Sequence, residues 1–295
     1  MKKILLVILA SVAFSVASQA QTIIDANDQT NPNQFYEKTS KQTPREPIKQ
    51  PSVRENDVIW ETVVWRDISL EEKFNQFMYF PTDASKDAQG RISLVALLYD
   101  AAKEQKFEIY DNDDMTEPLS WEGAMKKVAS QDVKKVPSGE LDEDDEIIYK
   151  DSIVFLDDFD ASTAKKLRIK EYWYIDKQDS RQKFRIVGLA FMFEKTTYQA
   201  GNQVINQETS FWVPMNDYNV RKVLANSYAY DENNDVNEIS YDYIFNSRMF
   251  DSYIIRESNV YNRSLKDYLT GEDAILESQI IEEKIFNIES DMWEY

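Results

Sequence analysis

The chain has 295 residues, 34 basic against 53 acidic side chains, a net charge of −19, and neither histidine nor cysteine. The charge argues against nucleic-acid binding, which needs clustered Lys and Arg to neutralise phosphates. Without His or Cys there is no Ser-His-Asp or Cys-His pair, no ordinary zinc, copper or haem site, and no disulfide.

The first twenty residues read as a secretory signal peptide: Lys2 and Lys3, an apolar block from Ile4 to Ala17, then small residues ending at Ala20. That block is too short to cross a bilayer, and no lipid-accepting cysteine follows it. Residues 21–53 are polar, contain Pro32, Pro44, Pro47 and Pro51, and lack periodicity. This predicts an extended arm, a plain linker or a segment that orders on a neighbour.

Residues 54–295 read as one α+β domain of mixed helices and antiparallel strands, with a possible subdivision near 131–150 and a long C-terminal helix. In "VIWETVVWRDIS", Ile59, Thr62 and Val64 and, opposite them, Trp60, Val63 and Trp65 make two mixed apolar faces, which suits a short helix or strand. Ser69 and Glu72 form a capping box, predicting a helix over Leu70 to Phe77. Ser93 caps a second helix carrying Leu94, Leu97, Leu98 and Ala101, "KFEIYD" reads as a strand, and Ser120 opens a third helix. "VPSGELDEDDEIIYKDS" reads as an acidic connector. Beyond it, 165–177 and 183–195 are β-rich runs about a polar turn, the sequence form of a long hairpin, and "QETSFWVPM" adds a strand. Helices follow over 215–226 and from Ser240. Tyr253, Ile254 and Ile255 then favour a strand, and Ser264 caps a short helix ended at Gly271. The longest helix runs from Glu272 to Met292, with Ile275, Ile280, Ile281, Ile285 and Ile288 on its apolar side.

Carboxylates are the chemistry that remains: Asp111, Asp113 and Asp114, the run from Asp142 to Glu146, Asp157, Asp158 and Asp160, and Asp231 to Asp235. A glycosidase needs two of them across a cleft, a pairing that sequence does not reveal. Asp231, Asn233, Asp235 and Asp242 stand at positions 1, 3, 5 and 12 of a calcium loop, but Val236 occupies the position that wants glycine. No catalytic, cofactor or metal residues are assigned. The aromatic residues suit a core, an interface, or a groove for glycan or peptide.

Four stretches carry a resemblance: "VRENDVIWETVVWRDISLEEKFNQFMYFP", "RISLVALLYDA", "SRMFDSYIIRESNVYNRSLKDYLTGEDAILES" and "IEEKIFNIESDMWEY". Together they resemble the GldN/PorN family of the Bacteroidetes type IX secretion and gliding motility machinery. The resemblance implies a non-enzymatic periplasmic protein that forms a ring with an outer-membrane lipoprotein (GldK/PorK-like). It also implies a position close to the shaft protein (GldM/PorM-like). The residues read as candidate partner contacts are Trp60, Trp65 and Arg66 in the first stretch. In the third they are Phe250, Tyr253 and Ile255 as packing anchors, with Arg248, Arg256 and Glu257 setting orientation and Tyr261 at the following turn. The alternative is that 248–269 is an internal strand and turn.

Overall fold

The computed structural model describes residues 44–82, 91–128, 131–141, 147–155, 161–199, 202–229, 234 and 237–293. Apart from Pro44 these belong to one compact unit, Arg45–Tyr295. The leader, the arm as far as residue 43, and Asp231, Asn233 and Asp235 of the calcium-loop pattern lie outside the described residues.

The centre of the fold is an antiparallel sheet in the order β6-β5-β4-β1-β9. Its strands are β1 (Val58–Ser69), β4 (Ala164–Asp176), β5 (Arg181–Gln199), β6 (Asn202–Pro214) and β9 (Tyr253–Glu257). β1 explains its own ambiguous pattern. It pairs with β4 along one edge and β9 along the other, and from Val64 to Ile68 every residue is buried. A strand covered on both faces has no reason to alternate. The expected hairpin is β4–β5, and β6 continues the meander by pairing Gly188 with Pro214 through to Gln199 with Asn202.

Period-two alternation in β4 puts Leu167, Ile169, Glu171, Trp173 and Ile175 on one face and Arg168, Lys170, Tyr172 and Tyr174 on the other. The first face carries the main core. Ile68, Leu167, Ile169, Leu189 and Phe191 pack there with α1 (Gln76–Tyr79), α2 (Leu94–Lys103), α4 (Tyr218–Ala225) and α5 (Tyr241–Asn246). Ser93 Oγ accepts the Ala96 N–H at 3.2 Å, Ser120 Oγ the Gly123 N–H of α3 (Trp121–Val128), and Ser240 Oγ the Tyr243 N–H, so three predicted helix starts are in place.

Three local readings need correction, and one short pairing stands outside any of them. Ser69 ends β1 rather than capping a helix. Its carbonyl accepts from Asn75 Nδ2, and a 3-10 turn at Lys73–Asn75 precedes the four residues of α1. "KFEIYD" forms only isolated bridges, Tyr110 with Trp212 and with Pro118. The stretch read as a connector supplies an antiparallel hairpin, β2 (Gln131–Leu141) with β3 (Ile147–Phe155). Finally, β7 (Tyr228–Ala229) and β8 (Ile239–Ser240) make a two-residue pairing for which the sequence carries no visible signal.

The last helix, α6 (Glu272–Trp293), starts after Gly271, whose φ of +59° suits a glycine. Ile281 and Ile285 are buried against Val64, Ile254 and Leu265, with Ala274, Trp60 and Trp173 alongside. Ile275 and Ile280 are exposed instead. The stripe that faces the sheet runs through Ala274, Ser278, Ile281 and Ile285, at helical spacing of four, three and four. Ser278 Oγ accepts the Ile254 N–H at 2.9 Å, so α6 occupies a donor on the edge strand that would otherwise invite another strand.

Candidate functional site

The two faces of β1 organise the residues singled out as partner contacts. On the core face, Arg66 is almost wholly buried between Val64 and Ile68. Its Nε lies 3.3 Å from Glu171 Oε2, its Nη1 donates to Glu282 Oε1 of α6 at 2.9 Å, and it sits over the Trp173 ring. Glu171 is fully buried in β4. It accepts hydrogen bonds from Arg248 Nη1 at 2.6 Å and Trp173 Nε1 at 3.0 Å, whereas its contact with Arg66 Nε is an ion pair without a hydrogen bond. Burial pulls the Arg66 guanidinium below its ordinary value, and the Glu171 carboxylate opposes that shift. An arginine so paired keeps its charge.

Arg248 reaches this cluster because it adopts φ +53°, turning the chain out of α5 toward β9. Its guanidinium lies about equally far from the rings of Trp173, Phe184 and Phe250. A left-handed backbone at a residue with a long side chain costs on the order of 1 kcal/mol, here offset by the ion pair and the ring contacts. Phe250 is itself buried against Phe245.

On the opposite face Trp65 is paired across the strands with Arg256. A bulge at Ile255 lets both Ile255 and Arg256 approach it, and the guanidinium carbon stands 3.5 Å from the ring centroid. Arg256 Nη2 donates to Asp113 Oδ2 at 2.6 Å, while Lys170 Nζ, 5.3 Å from the same ring, donates to Asp113 O and Asp114 Oδ1. The Trp65 indole N–H and the Arg256 Nε–H find no acceptor among the described residues, so this stack rests on cation–π attraction and the carboxylates around it. A cleft of about 350 Å³ opens beside it, between Trp65, Trp212, Arg168 and Asn262. Arg168 is committed there to Asp67 through two hydrogen bonds, at 2.7 and 3.0 Å.

The remaining candidates divide by exposure. Trp60 is half-buried beneath α6. Tyr253 is half-buried beside Trp65 and Ile255, and Glu257 accepts from Lys284 of α6 at 3.1 Å. Tyr261 is exposed, under the Arg263 guanidinium. Thus most of the segment 248–261 bonds within the chain. The carboxylates follow suit: Asp111 pairs with Lys127, and Asp242 accepts from Arg221 Nε and Nη2 at 3.0 and 2.9 Å. Among the described residues no three acids converge as a metal would require. No helix among them is long and apolar enough to cross a membrane.

Sequence reasoning missed the partners of these residues, Glu171, Glu282, Lys170 and Asp113. One signal was present: alternation sets Glu171 on the apolar side of β4, as it sets Arg66 on that of β1. A lone charge on each of two apolar faces predicts a buried pair. Also missed was a second ion pair, Arg221–Asp242, which grips the end of the arm. Asp242 Oδ2 accepts the Ile48 N–H at 2.8 Å and Arg221 Nη2 donates to the Ile48 carbonyl. Asn226 likewise accepts from the Arg45 N–H and donates to its carbonyl, at 2.8 and 3.0 Å.

These features define a class: an α+β scaffold whose charged side chains are used to fasten its strands, last helix and arm to one another. A family model described as gliding motility associated protein GldN matches residues 53–294, and the chain belongs to that GldN family. The match begins just before β1 and ends at the last turn of α6, so it takes in the sheet and both ion clusters. Membership makes the chain a component of the gliding motility and type IX secretion machinery, in a family not known for catalysis. No curated protein matches it.

Proposed function

We propose that the chain is a non-enzymatic structural subunit of a periplasmic ring, assembled from repeated copies together with an outer-membrane lipoprotein. In this reading the chain is exported by its leader, faces the shaft protein of the same machine, and is held at the outer membrane by the lipoprotein. The family match over 53–294 carries the proposal. The geometry supports it, since Asp67, Asp113, Glu171, Asp242 and Glu282 are paired with basic groups that fasten one element to another. A ring subunit meets its neighbours through two different faces, so rigidity between distant elements matters more than a reactive cleft.

The test is genetic and biochemical together. Deleting the gene should abolish secretion of the machine's cargo, and a tagged copy should restore it and bring the lipoprotein with it through purification. Normal secretion in the deletion strain, or a tagged chain that purifies alone from secreting cells, would refute the proposal.

A further inference from the structure

The end of the arm is held by polar groups rather than by burial. Arg45, Glu46, Ile48, Lys49 and Pro51 are all exposed. Yet Asn226 bonds the N–H and carbonyl of Arg45, and the Arg221–Asp242 pair bonds those of Ile48. Tyr218 donates to Glu46 Oε2 at 2.6 Å, Gln50 Nε2 to Asn246 Oδ1 at 3.0 Å, and Arg185 to the Pro51 carbonyl. The Arg45 guanidinium also lies over the Tyr228 ring and beside Glu238. Together α4, α5 and β5 form a cradle that grips an extended segment by its main chain. Ser52 and Val53, which hydrogen-bond to none of the described residues, join this segment to Asp57, where Gln178 and Lys177 hold the chain again. The segment is basic, with Arg45, Lys49 and Arg54 against Glu46, whereas residues 55–295 hold 27 basic and 49 acidic side chains, a net charge of −22.

We propose that in the assembly each copy's arm leaves its own cradle and fills the cradle of the adjoining copy. The contacts are the same in either placement, and copies held side by side supply the effective concentration that favours the exchange. An arm bound mainly by exposed hydrogen bonds opens with a small free energy. Stretched out, the run from Arg45 to Asp57 spans about 40 Å, so the arm can leave its own body without disturbing β1. Body against body, two such acidic copies repel; the basic arm is a part of the chain that a second copy attracts. Main-chain bonds alone would accept many extended segments, and the pairing of Arg45 with Glu238 and of Glu46 with Tyr218 selects this one.

The inference rests on the ring reading for its adjoining copies. Its test expresses two differently tagged versions of the full chain together in its own cells. One carries a photo-crosslinking amino acid at Lys49, whose exposed side chain makes none of these bonds and borders the cradle. Irradiation should give mostly adducts of two chains, including adducts that join the two tags. Mass spectrometry should map the crosslink to 182–186 or 242–246 of the second chain, the parts of the cradle nearest that position. Adducts confined to single chains, or two-chain adducts that map elsewhere, would overturn the inference. Electron microscopy of the same material scores the ring separately. Rings with single-chain adducts would refute the exchange alone, whereas two-chain adducts at the cradle without rings would refute the ring and leave the exchange standing.

Discussion

Glu171 accepts hydrogen bonds from Arg248 and Trp173 and forms an ion pair with Arg66 in a position closed to water. Its importance differs from that of Glu282, although both touch Arg66, because the Glu282 side chain is 55% exposed. Removing one partner of a buried charge cluster leaves the others uncompensated and costs about 3–5 kcal/mol. An exposed pair is worth about 0–1 kcal/mol. We therefore expect Glu171→Gln to lower stability to urea by several kcal/mol, and Glu282→Gln by less than about 1. Equal losses would show that the cluster is not desolvated. Trp65 and Arg256 teach the complementary lesson. The sequence marks both as interface-type residues, and in the folded chain they satisfy each other across β1 and β9. Residue type reveals a capacity for strong contact; which surface receives the contact depends on strand register, and register is a long-range property.

At the scale of elements, the legible parts were those with local causes. The caps at Ser93, Ser120 and Ser240 and the β4–β5 hairpin depend on residues a few positions apart. The misread parts depend on distant partners. The capping pattern at Ser69 lost to β1, whose pairing with Lys166 of β4 carries the strand through that residue. Ile275 and Ile280 were placed with Ile281 by type alone, whereas the sheet selects the stripe through Ser278. The arm is the clearest case. Its proline content predicts extension, but only the fold brings Asn226 and the Arg221–Asp242 pair to the main chain at Arg45 and Ile48. Because both groups of each residue are bonded, starting the chain at residue 52 should leave α4 and α5 with unsatisfied side chains. Hydrogen exchange should then show faster exchange at Tyr218–Ala225 and Tyr241–Asn246, with β4 unaffected. Unchanged protection in α4 and α5 would show that the arm only rests there.

At the scale of the molecule, charge and contact point the same way. A chain of net charge −19 repels its own copies except where surfaces match, so stable neighbours need matched apolar or basic patches. The sheet, the ion clusters and α6 form a body whose internal groups are largely satisfied, while Phe74, Val260, Tyr261 and Phe286 are among the large apolar side chains exposed on the described residues. Fold class and family were legible because they depend on a long joint pattern from β1 to α6. Assembly depends on surfaces that only a partner completes. The measurement that bears most directly on the central claim is negative-stain electron microscopy of residues 21–295, alone and together with the lipoprotein of the same machine. Closed rings that form only when both proteins are present are the predicted result; small monodisperse particles in both samples would contradict it.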